Sequence, residues 1–120
     1  MADTKIIDAD GHITEPPDLW ETYLEAQYRP RAIRIRQTAE GLEYLEIDGK
    51  RHRGFPVGRL GALLCSIGQD PDTLLLPGQV SYRAHCPAGG YDPHARVQVL
   101  NAEGIDRAFL YPTIGITWEG

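Results

Sequence analysis

The apolar positions change period along the chain, and each change predicts a different element. Lys5-Ile6-Ile7-Asp8-Ala9-Asp10 begins with a compact apolar run. It reads as a strand over 5–10, buried on both faces as in a parallel sheet covered by helices. Asp8, Asp10 and His12 end it, and Pro16-Pro17 breaks the chain. Leu19, Trp20, Tyr23 and Leu24 then recur at the spacing of one helical face. This predicts a short amphipathic helix over 18–24, with Trp20 and Tyr23 in the core. The acidic residues near its start suit the helix dipole.

Residues 32–54 switch to alternation. Ala32-Ile33-Arg34-Ile35-Arg36 and Leu42-Glu43-Tyr44-Leu45-Glu46-Ile47 each place apolar and polar residues in turn. A turn at Ala39-Glu40-Gly41 separates them, Asp48-Gly49 signals a hairpin, and Lys50-Arg51-His52-Arg53 forms a short polar third strand. The result is an antiparallel meander. Residues 55–90, rich in Gly and Pro, read as a long irregular loop with a helical turn near 60–64. Loops of that length are usually functional or mobile, or are covered by another chain.

Order returns at Tyr91. Asp92 is a good N-cap, Pro93 a good first helical residue and Gly104 a good stop, so a helix is predicted from Pro93 to about Glu103. Val97, Leu100 and Val99 supply its apolar face. Ile105–Tyr111 reads as a second strand, ended by Pro112. Strand, excursion, helix and strand make a βαβ unit with a decorated crossover.

The 120 residues suit one domain, read here as a single segment over 1–120. Hydrophobic content of 42%, charged content of 24% and a net charge of −5 describe a soluble protein with no nucleic-acid partner. Arg29, Arg31, Arg34 and Arg36, interleaved with Ile33 and Ile35, read as a solvated strand face and not as a phosphate stripe. No apolar run is long enough to span a bilayer, and Met1-Ala2-Asp3-Thr4 does not begin a secretory signal. Cys65 and Cys86 alone form no disulfide framework, which makes a reduced, cytoplasmic setting the expectation.

The chemistry gathers at predicted strand ends. Residues two apart on a strand share a face, so Asp10 and His12 leave the first strand side by side. Such a pair can grip a divalent metal or form a hydrogen-bonded strand-end pair. Tyr111, Pro112 and Thr113 end the second strand on the same side of the sheet, where α/β enzymes gather their chemistry. Tyr111, Thr113 and Trp20 are candidate substrate-binding residues. Glu15 either supports His12 or caps the turn before Pro16-Pro17. His94 is a surface or packing residue, or faces the site. Cys65 and His85-Cys86 lack a zinc spacing.

Ile6-Ile7-Asp8-Ala9-Asp10-Gly11-His12-Ile13-Thr14-Glu15-Pro16-Pro17-Asp18-Leu19-Trp20 resembles the N-terminus of amidohydrolase-superfamily proteins of the aminocarboxymuconate-semialdehyde decarboxylase-like branch. Tyr91-Asp92-Pro93-His94-Ala95-Arg96, Asn101-Ala102-Glu103-Gly104-Ile105-Asp106 and Leu110-Tyr111-Pro112-Thr113 resemble that family's first helix and second strand. The meander resembles an insertion common in the branch. The resemblance implies the α/β fold of a metal-dependent (β/α)8 TIM barrel, here its first two strands and first helix with the meander inserted. It implies Asp10 and His12 as the first two metal ligands, with Asp-x-His standing where the family usually has His-x-His. Zinc is the family's usual metal, and manganese or iron would accept the added carboxylate. Family members hydrolyse amides, esters and lactones, or decarboxylate small unsaturated or aromatic acids.

A whole (β/α)8 barrel takes about 250 residues, and a catalytic zinc usually has at least three protein ligands. We therefore expect a split enzyme, in which a larger amidohydrolase-like subunit completes the barrel around a small-molecule substrate. The alternatives are a non-catalytic binding or structural module and an inactive fragment.

Overall fold

A computed structural model describes residues 4–66, 69–73, 76 and 78–119. In chain order the elements are β1 (Ile7–His12), α1 (Leu19–Tyr23), β2 (Arg34–Gln37), β3 (Glu43–Ile47), β4 (Lys50–Arg51), α2 (Leu60–Leu64), α3 (Tyr82–His85), α4 (Ala88–Tyr91), α5 (Pro93–Glu103) and β5 (Arg107–Tyr111). They form two compact units. One joins residues 1–15 to 87–120, and the other runs from Pro16 to Cys86.

The first unit is the βαβ core. β1 and β5 pair in parallel, with Ile7 opposite Arg107 and His12 opposite Tyr111. The helix between them starts and stops where its caps demand. Asp92 accepts hydrogen bonds from the His94 and Ala95 N–H groups at 2.7 and 3.2 Å, and Gly104 ends the helix with φ of 70°. A left-handed residue at that position costs a side chain energy and glycine little. Asp106 ties the strand starts together: its carboxylate accepts from the Ile6 N–H at 2.9 Å and from Lys5 Nζ at 3.2 Å.

Three expectations about this unit need correction. The first strand is not buried on both faces: Ile6 and Ile7 are exposed, and Gly11 is the buried residue of β1. Phe109, Leu110 and Tyr111 on β5 are exposed as well. β1 pairs with β5 alone among the described strands, and a two-stranded sheet has no second layer of helices to cover it. Similarly, Val97 and Val99 on α5 are exposed while Leu100 is half-buried, so the expected apolar face is only partly covered within the unit. Finally, the strand is irregular. Ile7 and Asp8 face Arg107 and Ala108, but Gly11 and His12 face Leu110 and Tyr111, so β1 carries one extra residue between Asp8 and Gly11. A bulge of this kind re-aims a side chain. The Asp8 carboxylate accepts the Asp10 N–H at 3.0 Å and helps shape it.

The second unit has its own core. β2, β3 and β4 form the predicted antiparallel meander, with Ile35 opposite Leu45. Ala32, Ile33, Ile35 and Leu45 are buried with Leu60, Val80 and Tyr82. The hairpin turns at Asp48 and Gly49, with φ of 52° and 71°, the paired positive values that a two-residue type I′ turn requires. Three of the four arginines pair with carboxylates: Arg34 with Glu21 at 2.9 Å, Arg36 with Glu46 at 3.3 Å and Arg31 with Asp48 at 2.9 Å.

The 55–90 segment is more structured than expected. α2 stands where a helical turn was predicted, and α3 follows it. The buried Glu43 carboxylate gathers the start of α3, accepting from Ser81 Oγ at 2.8 Å and from the Tyr82 N–H. Residues 67–68, 74–75 and 77 of the predicted loop lie outside the described residues. Cys65 and Cys86 form a disulfide, with Cα atoms 4.4 Å apart. Counting cysteines did not anticipate this bond, because the pair meets only once α2 and α3 fold against each other. Tyr23 also departs from the sequence reading. It is 79% exposed, since α1 stops after five residues where Leu24 becomes extended. Trp20 is half-buried.

Candidate metal centre

The carboxyl end of β1 carries Asp10 and His12. His12 Nε2 lies 3.9 Å from Asp10 Oδ1, with the His12 side chain 45% exposed and that of Asp10 93% exposed. That separation is too long for a hydrogen bond, which removes the hydrogen-bonded strand-end pair. It is shorter than two metal–ligand bonds of about 2.1 Å each, so one ion can reach both atoms. Gly11 between them turns inward, where an added Cβ would lie 2.9 Å from the Phe109 carbonyl oxygen. The glycine lets the strands close while its two neighbours project outward.

The other face of the His12 ring meets the turn after β5. Nδ1 lies 3.2 Å from the Pro112 carbonyl oxygen and 3.2 Å from Thr113 Oγ1. The Tyr111 ring is 6.1 Å from the imidazole, centroid to centroid. A ligating histidine commonly gives its second nitrogen to a backbone carbonyl in this way. Asp10 and His12 are thus two donors that one divalent ion could share, and among the described residues no group of three or more His, Cys, Asp and Glu converges.

Glu15 is 3% exposed and sits behind that turn. Oε1 accepts from the Thr113 and Gly115 N–H groups at 3.0 and 2.9 Å, and Oε2 from the Ile114 N–H at 3.0 Å. Of its two predicted roles, clasping a turn is observed, but the turn is the one after β5 and not the one at Pro16-Pro17. Ile114, fully buried, packs into the same corner.

The site residues thus divide. Asp10, His12, Tyr111, Thr113 and Glu15 converge on the carboxyl ends of β1 and β5. Trp20 belongs to α1 in the other unit. His94 is exposed in the first turn of α5. No hydrogen bond among the described residues ties its ring to Asp10 or His12. Two participants had no role in the sequence reading. The Pro112 carbonyl meets His12, and the Arg96 guanidinium donates to the His12 carbonyl oxygen. Arg96 lies one helical turn after the Asp92 cap, and no local sequence pattern signals that it reaches the strand end.

No protein-family model and no curated protein matches this sequence. Among solved structures, it is similar to the crystal structure of an amidohydrolase from Mycobacterium avium subsp. paratuberculosis K-10. The TM-score is 0.62 at 24% identity, over 96% of this chain and 32% of that one. The fold is that of part of an amidohydrolase. The chain spans about a third of the length of the structure it matches, which is consistent with a partial (β/α)8 barrel. No helix among the described residues is long and apolar enough to cross a membrane.

Proposed function

We propose that this chain supplies the first part of a metal-dependent active site of the amidohydrolase type, in the decarboxylase-like branch that its motifs resemble. Asp10 and His12 hold the ion; zinc is the first choice, and manganese or iron also suit an oxygen and nitrogen donor pair. The remaining ligands come from barrel strands outside these residues, carried by a larger amidohydrolase-like subunit. The bare apolar surface of Ile6, Ile7, Phe109 and Leu110 supports that part of the reading, since barrel strands are covered by neighbouring strands and helices.

The observation that carries the proposal is the arrangement around His12. One ring nitrogen is held by the Pro112 carbonyl, and the other stands beside the Asp10 carboxylate at the carboxyl end of a parallel strand. A bound divalent ion would supply Lewis acidity, polarising a carbonyl or bringing bound water to a pKa of about 7. The chain's own residues hold and orient. Asp10 is occupied as a ligand, so the proton-transferring base comes from the partner's strands. Tyr111 and Thr113 line the same strand ends, where a small substrate would lie. The reaction class is hydrolysis of an amide, ester or lactone, or decarboxylation of a small unsaturated or aromatic acid.

Native mass spectrometry on protein isolated from its own host, in a buffer that preserves metals, tests this. A complex with a larger chain and a bound metal is the expected result. A bare chain that binds no zinc on titration favours the alternative, a non-catalytic module on the same fold.

A further inference from the structure

The hydrogen atoms around His12 can be counted. The Thr113 hydroxyl donates its one hydrogen to the Ile13 carbonyl oxygen. Towards His12 it can therefore only accept. The other neighbour of Nδ1 is the Pro112 carbonyl oxygen, which has no hydrogen to give. Both partners of Nδ1 are acceptors, so Nδ1 must carry a hydrogen. In the neutral ring this leaves the Nε2 lone pair free, beside Asp10.

Both acceptors belong to the turn that Glu15 clasps. Its carboxylate takes the Thr113, Ile114 and Gly115 N–H groups in succession. From this geometry we propose that Glu15, acting through the 112–115 turn, fixes His12 as its Nδ1–H tautomer and so presets Nε2 as the ligand atom before any metal arrives. Glu15 is then a positioning residue that never touches metal or substrate. The inference rests on the metal-site reading for the purpose of Nε2, but the tautomer itself is measurable without metal.

The experiment uses the full, disulfide-intact, metal-free chain labelled with 15N-histidine, at about pH 8.5, where an ordinary histidine is neutral. His12→Asn identifies the signal. The wild type should show Nδ1 protonated and Nε2 bare. Glu15→Gln keeps Oε1 as an acceptor and should keep Nδ1–H as the majority form. Glu15→Ala, checked for folding by its β1–β5 amide signals, should lose the preference and show a mixture. Should Glu15→Ala not fold, Glu15→Asp replaces it: a carboxylate one methylene shorter should loosen the turn and lower the Nδ1–H fraction. A wild-type ring found in the Nε2–H form overturns the proposal outright. An unchanged tautomer in folded Glu15→Ala, or in Glu15→Asp where that variant decides, overturns it as well. Zinc is read separately, in the assembly with the larger subunit that completes the ligand set. If Nε2 does not respond, the metal reading fails and the tautomer result stands.

Discussion

His12 and Asp10 face each other across 3.9 Å, with Gly11 folded inward between them. Replacing either residue by alanine should weaken zinc binding by at least about tenfold, equivalent to about 1.4 kcal/mol. Asp10→Asn keeps one oxygen donor and should lose less. Competition against a chromophoric chelator measures this, in whatever assembly binds the metal. Equal affinity in all three variants would remove the pair from the site.

Gly11→Ala tests the closeness of the strands. The new Cβ would meet the Phe109 carbonyl oxygen and Asp8 Oδ2, each at 2.9 Å. Overpacking of this kind costs about 1–3 kcal/mol. Amide exchange at Ile13, which donates to the Tyr111 carbonyl oxygen at 3.0 Å, should accelerate accordingly. An exchange rate equal to wild type would show that the strands have room.

The carboxyl of Asp106 is held below its ordinary value, first by the Ile6 N–H and then by Lys5. A folded pKa below the unfolded one contributes stability above the unfolded value of 3.8. That contribution is lost as pH falls through the folded pKa. Acid should therefore loosen the start of β1, seen as faster exchange of the Ile6 amide relative to the Leu45 amide. In Asp106→Asn the Ile6 amide should exchange faster at neutral pH and lose this acid dependence.

The Cys65–Cys86 bond closes a loop over a sequence separation of 21. In the chain-entropy treatment such a loop is worth about 3 kcal/mol. Cys65→Ser with Cys86→Ser should lower the urea stability of the 16–86 unit by about that amount. The native protein should show no free thiol and reduced protein two. Reactive thiols in the untreated protein would contradict the bond.

Legibility in the sequence followed the distance over which each feature is decided. Asp92, Pro93 and Gly104 bound α5 as predicted because caps act within one turn of helix. Asp48-Gly49 makes its hairpin for the same reason. The bulge at Ala9 and Asp10 depends on what β5 offers across the sheet. The disulfide depends on two helices meeting. Glu15 acts on a turn about a hundred residues away in sequence, and no local pattern reports such a clasp. That Asp10 and His12 lie near each other was readable from strand periodicity. The turn holding the imidazole was not.

The division into a continuous 16–86 unit and a two-piece unit sets an order of assembly during synthesis. At ribosomal speeds of about 5–20 residues per second, β1 emerges roughly 5–20 s before the partner strand that faces Ile7 from Arg107. Meanwhile the intervening residues can build their own core, leaving an apolar strand unpaired on the nascent chain. Charges inside such a strand act as gatekeepers against sticking to other chains. Asp8 and Asp10 are placed to do that, so the carboxylate proposed as a metal ligand would also guard the chain while β5 is still being made.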